Sequence, residues 1–308
     1  MNVLSLFDGM SCGQIALERA GIKVDNYYAS EIDKYAIQIT QKNYPDTIQL
    51  GDVTKWREWD LPEIDLILAG SPCQGFSFAG KQLAFDDPRS KLFFDFVDIK
   101  NHYKPDNFLL ENVKMKQEYQ DVITEAVGFS PDRLNSSLLS AQNRVRDYWS
   151  NITIPLPCDR NVHLRDVLEC KTSDYIKISK KGAYKRRQDK ASCLTGGAHS
   201  GGNHSDMDLI GRPIELGHAT DIEGHDFLKR IYAEWGKSPT LTAVCGGHQH
   251  RKVAIDDYEY RRLTPIECER LQTVPDNYTE GVSNTQRYKM LGNGWTVDVI
   301  AHILKGLK

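Results

Sequence analysis

The feature that most constrains this chain is an alternation within its first 112 residues. Short apolar runs suited to buried strands (residues 3–7, 24–30, 65–69 and 108–111) take turns with stretches of helical spacing (13–20, 34–43 and 90–103). Strands separated by helices cannot close as hairpins. Each crossover carries the chain back along the sheet, so the strands run parallel and helices cover both faces. The expected fold class is α/β with a doubly wound sheet. Helix-like residues 118–127 and strand-like residues 135–140 continue the pattern, which ends near residue 151.

The middle of the chain is different. Residues 152–258 lose the long clean periods, gather Gly and His at 196–204, and hold 16 Lys and Arg against 14 Asp and Glu. The whole chain has a net charge of -3, so any basic footprint for a polyanion is local, and this segment has the right sign. From Tyr260 regularity returns, with helices expected over 264–271 and 296–307. Thr264-Pro265 supplies a cap followed by a proline in the first turn. At 308 residues, about two domains or one large one are expected. No apolar run approaches the roughly 20 residues of a membrane helix, and the first residues lack a secretion signal's basic start and apolar centre. Seven scattered cysteines without a C-x-x-C pair argue against a disulfide framework or a cysteine zinc site, and for a reducing, cytoplasmic location.

Four motifs carry chemistry. Phe7-Asp8-Gly9-Met10-Ser11-Cys12-Gly13 follows the first strand and precedes a helix, where glycines let the backbone turn and approach a ligand at the sheet's carboxyl edge. Glu31 ends the second strand, where an acid suits ribose hydroxyls, and Asp52 follows in Leu50-Gly51-Asp52-Val53. The three-glycine pyrophosphate fingerprint and the GKS or GKT of a P-loop are absent. That points from NAD and ATP towards a nucleoside cofactor without phosphates. Next, Gly70-Ser71-Pro72-Cys73-Gln74-Gly75-Phe76-Ser77 sets a cysteine in a loop straight after a strand, a setting for a nucleophilic thiolate. Cysteines 12, 158, 170, 193, 245 and 268 read as inert. Glu111 ends the strand at 108–111, and a carboxyl there can share a proton with a ring nitrogen and hold an exocyclic amine. Arg144 and Arg146 follow Gln142 at alternate positions of a strand-like stretch. Taken singly, these motifs also read as a tight turn, a buried thiol, a salt-bridged carboxylate and a pair of surface charges.

In this order, together with the stretch from Arg262-Leu263-Thr264-Pro265 to Gln272 and with Gly292-Asn293-Gly294, the motifs resemble those of the C5-cytosine DNA methyltransferases. The resemblance touches both ends of the chain and leaves the middle uncovered. Two departures stand out. The glycine-rich F-x-G-x-G-G is here Phe7-x-Gly9 followed by Met10-Ser11-Cys12-Gly13, and Gly294 stands where Ser is common. Both variants are similar to the animal de novo DNA methyltransferases and to phage or prophage relatives.

The resemblance implies a Rossmann-like catalytic domain that binds S-adenosyl-L-methionine, formed by residues 1–151 and 259–308. A smaller target-recognition domain, 152–258, is inserted between them. It implies that Cys73 attacks C6 of a flipped cytosine, that Glu111 engages N3 and the amino group, and that Arg146 holds O2 with Arg144 in support. Phe7, Gly9, Glu31, Ile32, Asp52, Val53, Pro72 and Asn293 are the implied cofactor contacts. Gln74 and Ser77 belong to a loop, 75–89, that closes over DNA, and Lys185, Arg186 and Arg187 fall in a basic stretch suited to phosphates. Ser238-Pro239-Thr240-Leu241-Thr242 resembles the family's Thr-Leu element. The implied substrate is double-stranded DNA, the implied enzyme a monomer of the restriction-modification type. Whether a cognate restriction endonuclease accompanies it is left open by the sequence. No metal is implied: His199 to His204 and His248-Gln249-His250 lack supporting cysteines. RNA methylation is a weaker alternative, since the tRNA-modifying relatives carry a Cys-Phe-Thr signature not found here. A catalytically silent DNA-binding homologue would lack Cys73 or Glu111, and an amino-methylating enzyme would carry an Asp/Asn-Pro-Pro-Tyr/Phe loop.

Overall fold

The structure, a computed structural model, describes residues 1–71, 88–169, 182–186, 213–243, 249–255 and 259–307; of residues 88–91, 182–186 and 259 it describes the backbone alone. The expected alternation is present. In chain order it runs β1 (Asn2–Leu6), α1 (Cys12–Ala20), β2 (Asn26–Ser30), α2 (Lys34–Asn43), β3 (Ile48–Gln49), β4 (Leu66–Gly70), α3 (Pro88–Tyr103), β5 (Asn107–Val113), α4 (Gln117–Val127), β6 (Asp132–Asn135), β7 (Gln142–Asn143) and β8 (Val145–Ser150). Seven of these strands form one sheet in the order β3-β2-β1-β4-β5-β8-β6. The five strands from β3 to β5 are parallel, and β8 runs antiparallel to both of its neighbours.

Side chains alternate between two cores, as a strand period of two requires. Val3, Leu66, Leu68 and Leu109 face one side and pack with Ile15, Ala16 and Ile39 of α1 and α2. Leu4, Leu6, Ile67, Ala69 and Leu110 face the other and pack with Phe93, Phe96 and Ile99 of α3 and Ile123 of α4. Strands apolar on both faces are what a sheet buried twice over needs. The expected strand at 135–140 is corrected. β6 ends at Asn135, whose side chain accepts from Ser137 N at 3.1 Å and turns the chain into a short 3-10 helix over Ser136–Leu138.

The second part holds β9 (Gly182–Arg186), β10 (Glu215–Ala219), α5 (Asp226–Lys229), β11 (Arg230–Tyr232), β12 (Ser238–Pro239), β13 (Lys252–Ala254) and β14 (Glu259–Arg262). Strands β10-β11-β13-β14-β9 close a small barrel around Ala219, Ile222, Ile231, Ala254 and Tyr260. The return to the first core, expected at residue 259, follows β14, which still pairs inside the barrel. β12 instead pairs with β7 in a separate two-stranded sheet, stitching this part to the segment that leads into β8.

The last elements are α6 (Pro265–Leu271), α7 (Asn284–Asn293) and α8 (Val297–Leu304). α6 starts as Thr264-Pro265 foretold: the Thr264 hydroxyl accepts from Glu267 N at 3.2 Å, and Glu267 Oε2 accepts from Thr264 N at 2.9 Å. Glu267 is also held by a buried bidentate pair with Arg261 of β14. α8 is apolar on its inner face and packs Ile300, Ala301, Ile303 and Leu304 into the core that α1 shares.

Candidate active site

At β1 the strand order reverses: β2 and β3 extend the sheet on one side, and the chain then returns to place β4 and β5 on the other. Ligands of open α/β sheets bind outside the carboxyl ends of the strands at such a point. A cavity of about 340 Å³ lies there. Its wall is built from the residues that leave each parallel strand: Phe7 to Met10 after β1, Glu31 and Ile32 after β2, Asp52 and Val53 after β3, Ser71 after β4, and Glu111 on β5. Arg144, Arg146 and Asn293 complete the set of expected residues that line it.

At the β1–β2 end, the turn after β1 is conformationally unusual. Phe7 and Ser11 adopt left-handed backbone with φ of 58° and 60°, and Gly9 lies between them at 61°. Left-handed non-glycine residues cost about 1–3 kcal/mol each and persist where surrounding contacts hold them. Here the contacts are clear. Glu31 Oε2 accepts from Gly9 N at 2.8 Å, while Oε1 accepts from Ile32 N at 2.7 Å and Asp33 N at 2.8 Å. Three amides therefore fix the carboxylate and leave about one of its four lone-pair sites for a hydroxyl group. Ile32 stands 75% exposed at the rim, an apolar surface available to a flat ring. Asp52 caps the 3-10 helix Val53–Glu58 through one oxygen, accepting from Thr54 N at 2.9 Å.

At the β5–β8 end, register places Glu111 opposite Gly70 on one side and Tyr148 on the other, with Arg146 paired to Val113. Arg146 Nε lies 2.8 Å from Glu111 Oε1. Glu111 is only 8% exposed, and that Oε1 finds no aligned hydrogen-bond donor among the described residues. The pair is charge-complementary yet leaves directional capacity unused, as a site awaiting a polar ligand would. Next to it, Asn112 donates to the Ser71 hydroxyl at 3.0 Å, fixing the last described residue before Pro72.

Arg144 does a different job. Its guanidinium donates to the carbonyls of Leu241 and Gly292 at 3.3 Å each and of Gly294 at 3.0 Å. It ties the cavity wall to the Thr-Leu segment and to the end of α7. Around it runs a buried network that the sequence did not disclose. Gln142 Nε2 donates to Gln272 Oε1 at 3.1 Å, Gln142 Oε1 accepts from Leu241 N at 2.9 Å, and Gln272 Nε2 donates to Leu291 O at 2.6 Å and Gly294 O at 3.0 Å. Thr296 joins it through Gln272 Oε1 at 2.9 Å. The glycines of Gly292-Asn293-Gly294 have reasons of their own. A Cβ on Gly292 would lie 2.2 Å from the Thr242 carbonyl carbon, so only glycine lets α7 approach the 242–243 segment. The Trp295 ring lies against Gly70, where a Cβ would meet Nε1 at 2.9 Å.

Asp8 and Trp295 line the cavity and were not singled out as site residues in the sequence. Asp8 accepts from Tyr27 OH at 2.7 Å and from the Ser11 hydroxyl, and burial pushes its pKa up to about 6. Cys12 and Cys268 are buried thiols, and burial raises both, Cys12 to about 12, which matches their reading as inert. Pro72, Cys73, Gln74, Ser77 and Arg187 lie outside the described residues, as do His199, His204 and His248. Lys185 and Arg186 lie on β9, in register with His218 and Gly217 of β10. Among the described residues no group of three metal-ligating side chains occurs, and no helix is long and apolar enough to cross a membrane.

A doubly wound sheet with a reversed last hairpin and a nucleoside-sized cavity at its switch point defines a Rossmann-like methyltransferase fold. The family model for C-5 cytosine-specific DNA methylase matches residues 1–125 and 133–308, and the chain belongs to that family. It is 31% identical to the type II methyltransferase M.NlaX of Neisseria lactamica over 99% of this chain and 96% of that protein. Identity to M.HhaI of Haemophilus parahaemolyticus is 27%, covering 98% and 93%. Among solved structures, a protein described as a DNA modification methyltransferase encoded within an Escherichia coli prophage shares the fold. Its TM-score is 0.66 at 22% identity, over 100% of this chain and 98% of that one.

Proposed function

We propose that this chain transfers a methyl group from S-adenosyl-L-methionine to C5 of a cytosine flipped out of double-stranded DNA. One observation carries the reading: buried Glu111 beside Arg146 shares a cavity with Glu31, Ile32 and Asp52, and Ser71 leads from that cavity into Pro72-Cys73-Gln74. The cofactor end fits an adenosyl group. Glu31 suits the ribose hydroxyls, Ile32 and Val53 suit a flat ring, Asp52 suits an exocyclic amine, and Phe7, Gly9 and Asn293 complete the described cradle, with Pro72 assigned to it by the family's motif alone. When bound, the cofactor supplies an electrophilic methyl group.

The residues divide the chemistry. An aromatic ring carbon is a poor nucleophile, so a transient covalent bond splits one hard step into easier ones. The Cys73 thiolate adds to C6, and the electron pair displaced from the C5–C6 bond makes C5 nucleophilic. Glu111 hydrogen-bonds N3 and the amino group, and Arg146 neutralises charge gathering on O2 and N3. Preorganised groups of this kind are worth about 3–4 kcal/mol each. After C5 takes the methyl, loss of its proton restores the double bond and expels Cys73. Arg144 acts as a positioning residue. Residues 152–258 read as the recognition domain, with Lys185, Arg186 and Arg187 on phosphates and Gln74 and Ser77 near the flipped base. Unpairing costs a few kcal/mol, offset by pocket contacts. Bisulfite sequencing of DNA from cells expressing the chain tests the reading: a single methylated context is expected, and unmodified DNA with methylated RNA would overturn it.

A further inference from the structure

We propose that the ion pair between Lys289 of α7 and Asp33 at the start of α2 is a clasp joining two walls of the cofactor cavity, and that both are positioning residues for the cofactor. The inference rests on the cofactor reading above and adds two residues that have no role there. Both side chains line the cavity, where the wall built by the β2–α2 turn meets the wall built by α7. Asp33 makes three connections at once. Its backbone N–H donates to Glu31 Oε1 at 2.8 Å, so it is one of the amides that hold the carboxylate assigned to the ribose. Its Oδ1 caps α2, accepting from Tyr35 N at 2.9 Å. Its Oδ2 accepts from Lys289 Nζ at 2.6 Å. Lys289 stands four residues before Asn293, so the two share one face of α7, and Asn293 also lines the cavity. A shift of α7 at Lys289 is therefore felt at Asn293 within the helix and, through Asp33, at Glu31. The rest of α2 is tied separately. Gln38, Lys42 and Asn43 donate to the carbonyls of Gly281, Glu280 and Tyr278 at 3.2, 2.8 and 3.0 Å. Those bonds hold the half of the helix that runs back from the cavity and leave its first turn to the clasp.

The charges agree with this geometry. Burial alone would raise the Asp33 carboxyl, but Lys289 and the amides of Tyr35 and Ala36 hold it below the ordinary carboxylate value, so the pair is ionised at neutral pH. The Lys289 side chain is 36% exposed, so water screens the attraction and its effect is modest. The test measures S-adenosylhomocysteine binding to the full chain by calorimetry, and steady-state methylation of duplex DNA, for the wild type, Lys289→Gln, Asp33→Asn and the double variant. Asparagine caps a helix about as well as aspartate, so Asp33→Asn removes the charge and keeps the start of α2. Each single variant should weaken S-adenosylhomocysteine and raise the KM for S-adenosylmethionine about 3- to 10-fold, while kcat changes by less than about twofold, as loss of uniform binding requires. The double variant should match the weaker single variant to within about twofold, because the second change removes a partner already lost. Losses that multiply in the double variant, a lower kcat at unchanged KM, or a lower melting temperature with cofactor affinity unchanged would overturn the proposal. The last of these results would make the pair a support of the fold alone. A wild type that binds no S-adenosylhomocysteine overturns the cofactor reading itself, and this proposal with it.

Discussion

Replacing Gly292 by alanine should be far more damaging than replacing Gly294, although both flank Asn293. Helix propensity alone argues the reverse at 292, which lies inside α7 and would gain up to about 1 kcal/mol from alanine. Packing decides against it. The added Cβ would lie 2.2 Å from Thr242 C, 2.3 Å from Ala243 N and 2.3 Å from Thr242 O. All three are backbone atoms, so the helix or the 242–243 segment must move by about an ångström, which costs about 3 kcal/mol, the upper part of the overpacking range. That corresponds to a melting temperature lower by about 6–12 °C. At Gly294 the nearest atoms are 3.1 Å away, one of them the flexible end of Met10, and φ is an ordinary -64°. Gly294→Ala should therefore cost under about 1 kcal/mol, and the Gly found where relatives carry Ser is then a tolerated variant. Thermal unfolding of both variants, with and without S-adenosylmethionine, reads the difference. Gly292→Ala should also weaken the cofactor, because Gly292 O and Gly294 O accept from Arg144. Equal melting temperatures for the two variants would refute the close approach of α7 to the Thr-Leu segment.

Three further outcomes are expected. Glu111→Gln should lower kcat by about 10²–10⁴ while leaving DNA and cofactor affinity within a few-fold; a rate near wild type removes it from the chemistry. Neutralising Lys185, Arg186 and Arg187 together should make the slope of log affinity against log salt shallower by about 2–3; an unchanged slope returns the cluster to ordinary surface. Burial holds the pKa of Asp8 at about 6 in the folded chain, above the ordinary carboxylate value of 3.8. The folded state binds that proton more tightly, so its contribution is present below pH 4 and lost as pH rises through 6. Asp8→Asn should raise the melting temperature of the ligand-free chain at pH 7.5 more than at pH 5; a difference independent of pH contradicts the assignment.

Much of the main sheet could be read from the sequence because each strand and helix carries its own period. The strand end at Glu31 and the cap at Thr264 fall where local pattern put them, and Asp52 sits at the cap of a short 3-10 helix. What escaped reading depends on distant partners. The turn at residues 136–138 is made by the Asn135 side chain, which also accepts from Arg144 N at 3.0 Å, and no periodicity records that. α7 is polar along most of its length and has no side-chain cap, and its close contact at Gly292 is made to the distant 242–243 segment. The Gln142–Gln272 bond joins residues 130 positions apart. The pair at the β5–β8 end of the cavity was legible for the opposite reason: Glu111 and Arg146, the groups proposed to be catalytic, occupy strand positions whose direction follows from the alternation, and the sheet's order brings them together.

The central claim is a temporary bond between the Cys73 sulfur and a pyrimidine ring. It is tested most directly by incubating the chain with S-adenosylmethionine and duplex DNA whose target cytosine carries fluorine at C5, then mapping the product by peptide mass spectrometry. Fluorine cannot leave as a proton does, so the adduct should persist, with the oligonucleotide attached at Cys73 alone and absent from Cys73→Ser. Methyl transfer to ordinary DNA with no adduct in the fluorinated duplex, or attachment at another cysteine, would contradict the account.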